Sequence, residues 1–153
     1  MIKKSRIIHK ITDKFIDLVL ASKSVARAGI LNELNLSFIQ DPTNIDESKY
    51  TADSPEHLVN ILAYEKSQVA RDTHKNKLIL TADTLVLCDG KIFGKAHDIS
   101  HAKKILLELC GNTHTVITGM VLYDSLNDTM IKKNIKTTVV FHEVEEKRID
   151  ART

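Results

Sequence analysis

From Asp17 onward, short apolar runs alternate with amphipathic stretches, and polar turns separate them. Residues 17–21 (Asp-Leu-Val-Leu-Ala) predict a strand, followed by the turn Ser22-Lys23-Ser24. Ser24 is placed as an N-cap, and Ala28, Leu31 and Leu34 recur at helical spacing up to Asn35. Ser37-Phe38-Ile39 is a second short strand, and a polar loop runs from Asp41 to Glu47. Ser54 as cap and Pro55 at the first helical position open a longer helix, whose apolar positions Leu58, Ile61, Leu62 and Val69 extend to about Arg71. Leu78-Ile79-Leu80 restores the strand pattern, Thr81-Ala82-Asp83-Thr84 interrupts it, and Leu85-Val86-Leu87 resumes it. Asp89-Gly90 then predicts a tight turn that folds Ile92 and Phe93 back as a hairpin. A third helix spans Ser100 to Cys110, with Ala102, Ile105, Leu106 and Leu109 inward and Gly111 as its stop. Thr113–Tyr123 and Ile131–Val144 predict two strands paired around the turn Ser125–Asp128. The order β-α-β-α-β-β-α-β-β, without repeat or linker, reads as one α/β domain over 17–153, a mixed twisted sheet flanked by helices.

Composition narrows the function classes. With 153 residues and 42% hydrophobic content the chain can bury a real core. The formal charge of +2 is small and the 22 basic residues are spread out, which argues against a dedicated nucleic-acid binder. Residues 1–16 carry Lys3, Lys4, Arg6, Lys10 and Lys14 against Asp13, and read as a basic solvated arm. Nothing approaches the roughly 18 consecutive apolar residues of a spanning helix, so no membrane partner is expected. Cys88 in a predicted turn and Cys110 at a helix end lack metal-ligand spacing, which suggests reduced thiols and a cytoplasmic setting.

Several polar residues carry candidate chemistry. Asp83 interrupts an apolar strand, and a carboxylate there asks for a partner, with Lys66 and Lys95 as candidates. On its own the stretch is equally compatible with an ordinary hairpin whose acid pairs structurally. Ser22, Ser24 and Arg27 sit at a strand-to-helix turn, where free backbone N–H groups favour an anion, although most such serines only cap the helix. Asp46 and Glu47 are either solvated or hard oxygen ligands for Mg²⁺. Glu65 and Lys66 read by themselves as a surface pair. His114 and Thr115 alternate with apolar residues, so one of them faces either a cleft or an ordinary polar surface.

Together, LASKSVAR (Leu20 to Arg27), IDE (Ile45 to Glu47), LAYEKS (Leu62 to Ser67), TADTLV (Thr81 to Val86), DGKIFGK (Asp89 to Lys95) and LCGNTHTVITG (Leu109 to Gly119) resemble, in order and spacing, the Maf family of nucleoside triphosphate pyrophosphatases. The resemblance implies an ITPase/Maf-like architecture and a cytoplasmic, usually dimeric enzyme. Such an enzyme cleaves nucleoside triphosphates between the α and β phosphates with a divalent cation, Mg²⁺ or Mn²⁺. It makes Asp83 the catalytic acid that activates water and a metal ligand together with Glu47, and it makes Lys66, Lys95, Ser22, Ser24 and Arg27 phosphate-binding residues. Thr84 sides with the subgroup acting on dTTP and UTP, where the 7-methyl-GTP subgroup has Gln.

Two departures qualify that expectation. The family's S-x-S-P-R-R turn reads Ser22-Lys23-Ser24-Val25-Ala26-Arg27 here, so Ala26 replaces an arginine tied to base selection and should alter nucleotide choice. Family members also continue beyond the strand ending near Phe141, where Phe141–Ile149 would begin a further helix. The expectation for the chain as given is exposed apolar surface, lowered stability and reduced turnover. A nucleotide-binding or interaction remnant without catalysis is therefore the alternative of a different class.

Overall fold

The computed structural model describes residues 17–144, so the basic arm over 1–16 and the greater part of the helix expected at Phe141–Ile149 lie outside the described residues. The chain forms β1 (Leu18–Leu20), α1 (Val25–Glu33), β2 (Phe38–Gln40), α2 (Pro55–Thr73), β3 (Leu78–Cys88), β4 (Lys91–Phe93), α3 (Ile99–Leu109), β5 (Thr113–Asp124) and β6 (Thr129–Val140). A 3-10 turn at Glu47–Lys49 lies between β2 and α2. This is the α/β order read from the sequence, on one mixed sheet of six strands ordered β2-β1-β3-β5-β6, with β4 beside β3. β1 runs parallel to β2 and β3, and the pairs β3–β4, β3–β5 and β5–β6 are antiparallel.

β3 departs from its expected form. It is one continuous strand of 11 residues through Thr81-Ala82-Asp83-Thr84, with no break at the polar residues. Pairing with β5 from Leu78↔Asp124 to Leu87↔Thr115 satisfies its backbone along nearly the whole length, so the ladder overrides the local polarity. On its other edge β3 has two neighbours. β1 covers Leu78–Leu80 and β4 covers Val86–Cys88, which leaves Thr81–Leu85 without a strand there. The sheet is split at this edge, with Asp83 in the middle of the split.

The hairpin behind β4 forms as expected. Asp89 and Gly90 take φ values of 47° and 76°, the left-handed pair that a two-residue turn between twisted strands requires. Cys88 ends β3 and is buried, not part of the turn.

α2 packs across β3 and β5 with Leu62 inward as expected, but its face is turned from the one read, with Leu58 and Ile61 only partly buried. Its buried residues are Val59, Leu62, Ala63, Ser67 and Ala70, whereas Val69 is exposed. The reason is close approach: a Cβ at Gly119 would stand 2.5 Å from the Val59 carbonyl oxygen, so helix and strand nearly touch and small side chains must line the contact. Fully buried Thr81 donates its hydroxyl to the Ala63 carbonyl at 2.7 Å and ties β3 to the helix. Thr81→Val keeps the shape and removes that bond, so stability should fall by about 1 kcal/mol, read as a lower urea midpoint at unchanged slope.

The C-terminal half is more open. Asp98 caps α3 by accepting from the His101 N–H at 2.7 Å, which starts the helix at Ile99 rather than Ser100. Of its expected inward positions only Leu109 is buried, and Leu106 is exposed. β6 ends at Val140, and Phe141–Val144 has no regular structure. Ile131, Ile135 and Val140 on β6 are exposed.

Candidate active site

A cleft of about 650 Å³ opens at the split edge, within the range of small-molecule sites. Ser22, Ser24, Arg27, Glu47, Lys66, Asp83, Thr84 and Lys95 all line it. Ala26 is exposed on the first turn of α1 and is not among the lining residues. His114 lies elsewhere, buried beneath Phe141 in an edge-to-face contact at 4.7 Å, so it faces neither a cleft nor a polar surface.

The serine turn follows directly from β1. Ser24 accepts from the Arg27 N–H at 3.3 Å, which fixes the start of α1. The Ser22 hydroxyl oxygen accepts from the Ser24 N–H at 3.2 Å and from Arg27 Nη1 at 3.0 Å. A hydroxyl has one hydrogen and two acceptor sites, so Ser22 keeps its hydrogen for a further partner. The turn is thus built to donate. Arg27 also donates through Nη1 to the Ala82 carbonyl at 2.9 Å and through Nη2 to Thr84 Oγ1 at 2.9 Å. It thereby satisfies one of the backbone carbonyls that the split leaves open on β3. Burial lowers the guanidinium from its ordinary value and the charge of Asp83 works to raise it, but an arginine stays cationic throughout.

Opposite the turn, α2 places Lys66 between two acids. Its ammonium lies 2.6 Å from Asp83 Oδ1 and 2.8 Å from Glu47 Oε1. Glu65, its expected surface partner, instead accepts from the Tyr50 hydroxyl at 3.4 Å. Asp83 is 8% exposed, and this ion pair is what allows a carboxylate to sit so deep. Burial alone lowers the Lys66 ammonium, yet its hydrogen bonds to Asp83 and Glu47 outweigh that, and its pKa is raised. A raised folded-state pKa means the contribution is complete at neutral pH and disappears only as pH rises through the raised value. Lys66→Met should therefore cost up to about 3 kcal/mol at neutral pH, with the gap from wild type narrowing as pH rises through the raised value of the ammonium, as measured by denaturant unfolding from neutral to alkaline pH.

Lys95 arrives from the end of the β4 hairpin and is exposed at the cleft mouth. No direct bond joins it to Asp83 among the described residues, so the two lysines differ: Lys66 is committed to acids and Lys95 faces solvent. Sequence reasoning missed two supports of this arrangement. Gln40 donates to the Ser22 carbonyl at 2.8 Å, and Thr81 holds the helix that carries Lys66. Both are contacts between distant segments and have no local signal.

The donor set bears on a divalent cation. Glu47 and Asp83 both reach the Lys66 ammonium, which brings their hard carboxylate oxygens, of the kind that suit Mg²⁺ or Mn²⁺, to one side of the cleft. Among the described residues no cluster of three or more His, Cys, Asp or Glu could hold a metal ion. The two acids fit a cation that takes one or two carboxylates and completes its shell with water and substrate phosphates.

Residues 17–152 match the sequence profile of the family described as Maf-like protein. The chain belongs to that family. Maf-like relatives include the dTTP/UTP pyrophosphatase of Citrifermentans bemidjiense, 35% identical over 86% of this chain and 68% of the relative. The dTTP/UTP pyrophosphatase of Moorella thermoacetica is 36% identical over 88% of this chain and 69% of the relative. The 7-methyl-GTP pyrophosphatase of Colwellia psychrerythraea is 35% identical over 86% of this chain and 66% of the relative. Among solved structures, the Ham1 protein of Staphylococcus aureus superposes with a TM-score of 0.53 at 17% identity, covering 80% of this chain and 69% of that one. The dITP/XTP pyrophosphatase of Mycobacterium abscessus does so with a TM-score of 0.51 at 13% identity, covering 82% and 74%. These two likenesses establish a Ham1-type fold for the Maf-like chain. No helix among the described residues is long and apolar enough to cross a membrane.

Proposed function

We propose that this Maf-like chain is a nucleoside triphosphate pyrophosphatase, acting on dTTP or UTP and releasing the monophosphate and pyrophosphate. The observation that carries the reading is the convergence of Asp83, Glu47 and Lys66 opposite a serine turn with a hydroxyl hydrogen to give, in a cleft of nucleotide size. Lys66 holds Oδ1 of Asp83, and Oδ2 is left to accept a proton from water. A group in that position acts as general base for attack on the α-phosphorus. Lys95 at the mouth and the Ser22 and Ser24 hydroxyls neutralise phosphate oxygens as charge moves onto the leaving pyrophosphate. Arg27 braces the turn that carries both serines. Glu47 and Asp83 would hold the divalent cation, which when bound supplies further charge neutralisation at the phosphates.

Thr84, and the names of relatives such as those from Citrifermentans and Moorella, favour the thymine and uracil nucleotides. The Colwellia relative and the loss of an arginine at Ala26 keep 7-methyl-GTP as the second reading. Pyrophosphate release from dTTP, UTP and 7-methyl-GTP with Mg²⁺ or Mn²⁺ decides between them. Turnover is expected to be fastest with dTTP or UTP; a preference for 7-methyl-GTP reverses the base assignment, and binding without turnover leaves a nucleotide-binding remnant.

A further inference from the structure

A polar chain runs from Arg27 away from the cleft through Thr84 and Thr118, and the reaction chemistry does not use its threonine link. Arg27 Nη2 lies 2.9 Å from Thr84 Oγ1, which lies 2.9 Å from Thr118 Oγ1. Thr84 and Thr118 stand directly opposite each other in the β3–β5 register. Thr84 is exposed in the cleft, whereas Thr118 is half-buried and does not line it.

A guanidinium has only donors, so the Thr84 oxygen accepts from Arg27. An oxygen polarised in that way donates its own hydrogen more strongly, and hydrogen bonds aligned head to tail reinforce one another. The favoured arrangement is therefore Arg27 to Thr84 and Thr84 to Thr118. With its hydrogen held by Thr118, Thr84 presents the cleft with a lone pair and no donor.

Resting on the pyrophosphatase reading, we propose that Thr118 is a positioning residue for base selection. By holding the Thr84 hydrogen it makes Thr84 an acceptor, which suits the ring N–H of a thymine or uracil imide. Cytosine presents an unprotonated ring nitrogen at that place, so acceptor faces acceptor and the base is rejected. Discrimination of this kind is effective because the mismatched polar groups are left unpaired.

The test compares kcat and KM for dTTP and dCTP, with Mg²⁺, in wild type, Thr118→Val and Thr118→Ser. Valine has nearly the same shape and suits a strand, but it cannot accept, so the Thr84 hydrogen is free to turn into the cleft. The dTTP-to-dCTP ratio of kcat/KM should fall about tenfold in Thr118→Val, the size of one neutral hydrogen bond, chiefly through a lower KM for dCTP. Thr118→Ser should hold the ratio within about twofold of wild type, since it keeps the hydroxyl. Thr118→Ala removes the hydroxyl by another route and should reproduce the valine result. An active wild type whose ratio is unchanged in both Thr118→Val and Thr118→Ala overturns this inference alone. A wild type that neither binds nor hydrolyses any nucleotide overturns the pyrophosphatase reading and the inference with it.

Discussion

Asp83→Asn should reduce pyrophosphate release by roughly a thousandfold while leaving nucleotide affinity within a few-fold of wild type. The substitution keeps the size and one carbonyl oxygen for the 2.6 Å contact with Lys66, but the amide cannot take a proton from water. It also removes a negative charge from beside Lys66 and Glu47, so the triphosphate meets less repulsion in the variant. A loss expressed in kcat with KM little changed is the signature of an interaction made in the transition state. Equal loss of binding and turnover would instead identify Asp83 as a structural acid whose pairing holds the cleft open. Single-turnover kinetics beside calorimetric titration with dTTP separates the two outcomes.

A large loss of stability is expected at Gly119. An added Cβ would lie 2.5 Å from the Val59 oxygen, 2.6 Å from its carbonyl carbon and 2.8 Å from the Asn60 nitrogen. All three are backbone atoms, and none can swing aside as a side chain would. Gly119→Ala must push α2 off the sheet, at a cost near the top of the usual overpacking range, about 3 kcal/mol, or roughly 6–12 °C in Tm. Because α2 carries Lys66, turnover should fall along with stability. Gly29 provides the contrast: it lies within α1, its added Cβ meets nothing within 4 Å, and Gly29→Ala should stabilise by up to about 1 kcal/mol. Thermal unfolding of both variants checks the pair, and a Gly119→Ala protein as stable as wild type would show that the helix has room to move.

The contrast between these glycines reflects what could and could not be read along the chain. Element order was legible because strands and helices here announce themselves locally, through Ser24 and Ser54 as caps, Pro55 at a helix start and Asp89-Gly90 at a turn. The face of α2 was not legible. Hydrophobic size pointed to Leu58, Ile61 and Val69, but the contact is set by how near the strand comes, and that is decided by Gly119, far along the sequence. The break read at Thr81–Thr84 had the same origin. Polar letters interrupt an apolar run, yet β5 supplies the ladder, and the real discontinuity lies on the opposite edge, between β1 and β4.

The candidate site was legible as a set of letters and less so as a set of contacts. Ser22, Ser24, Arg27, Glu47, Lys66, Asp83, Thr84 and Lys95 share one cleft, while Ala26 stands outside its lining. What no local pattern discloses is that Lys66 bridges two acids, that Arg27 is held within the protein, or that Gln40 supports the serine turn. Each of these depends on segments brought together only by the sheet.

The crystal structure of Asp83→Asn with dTTP and Mg²⁺ decides whether this cleft is where the nucleotide reacts. The triphosphate is expected to lie across the split between β1 and β4, its α-phosphorus one water away from residue 83 and its oxygens against Ser22, Ser24 and Lys95. A nucleotide bound on another face, or one whose α-phosphorus is remote from residue 83, would contradict it.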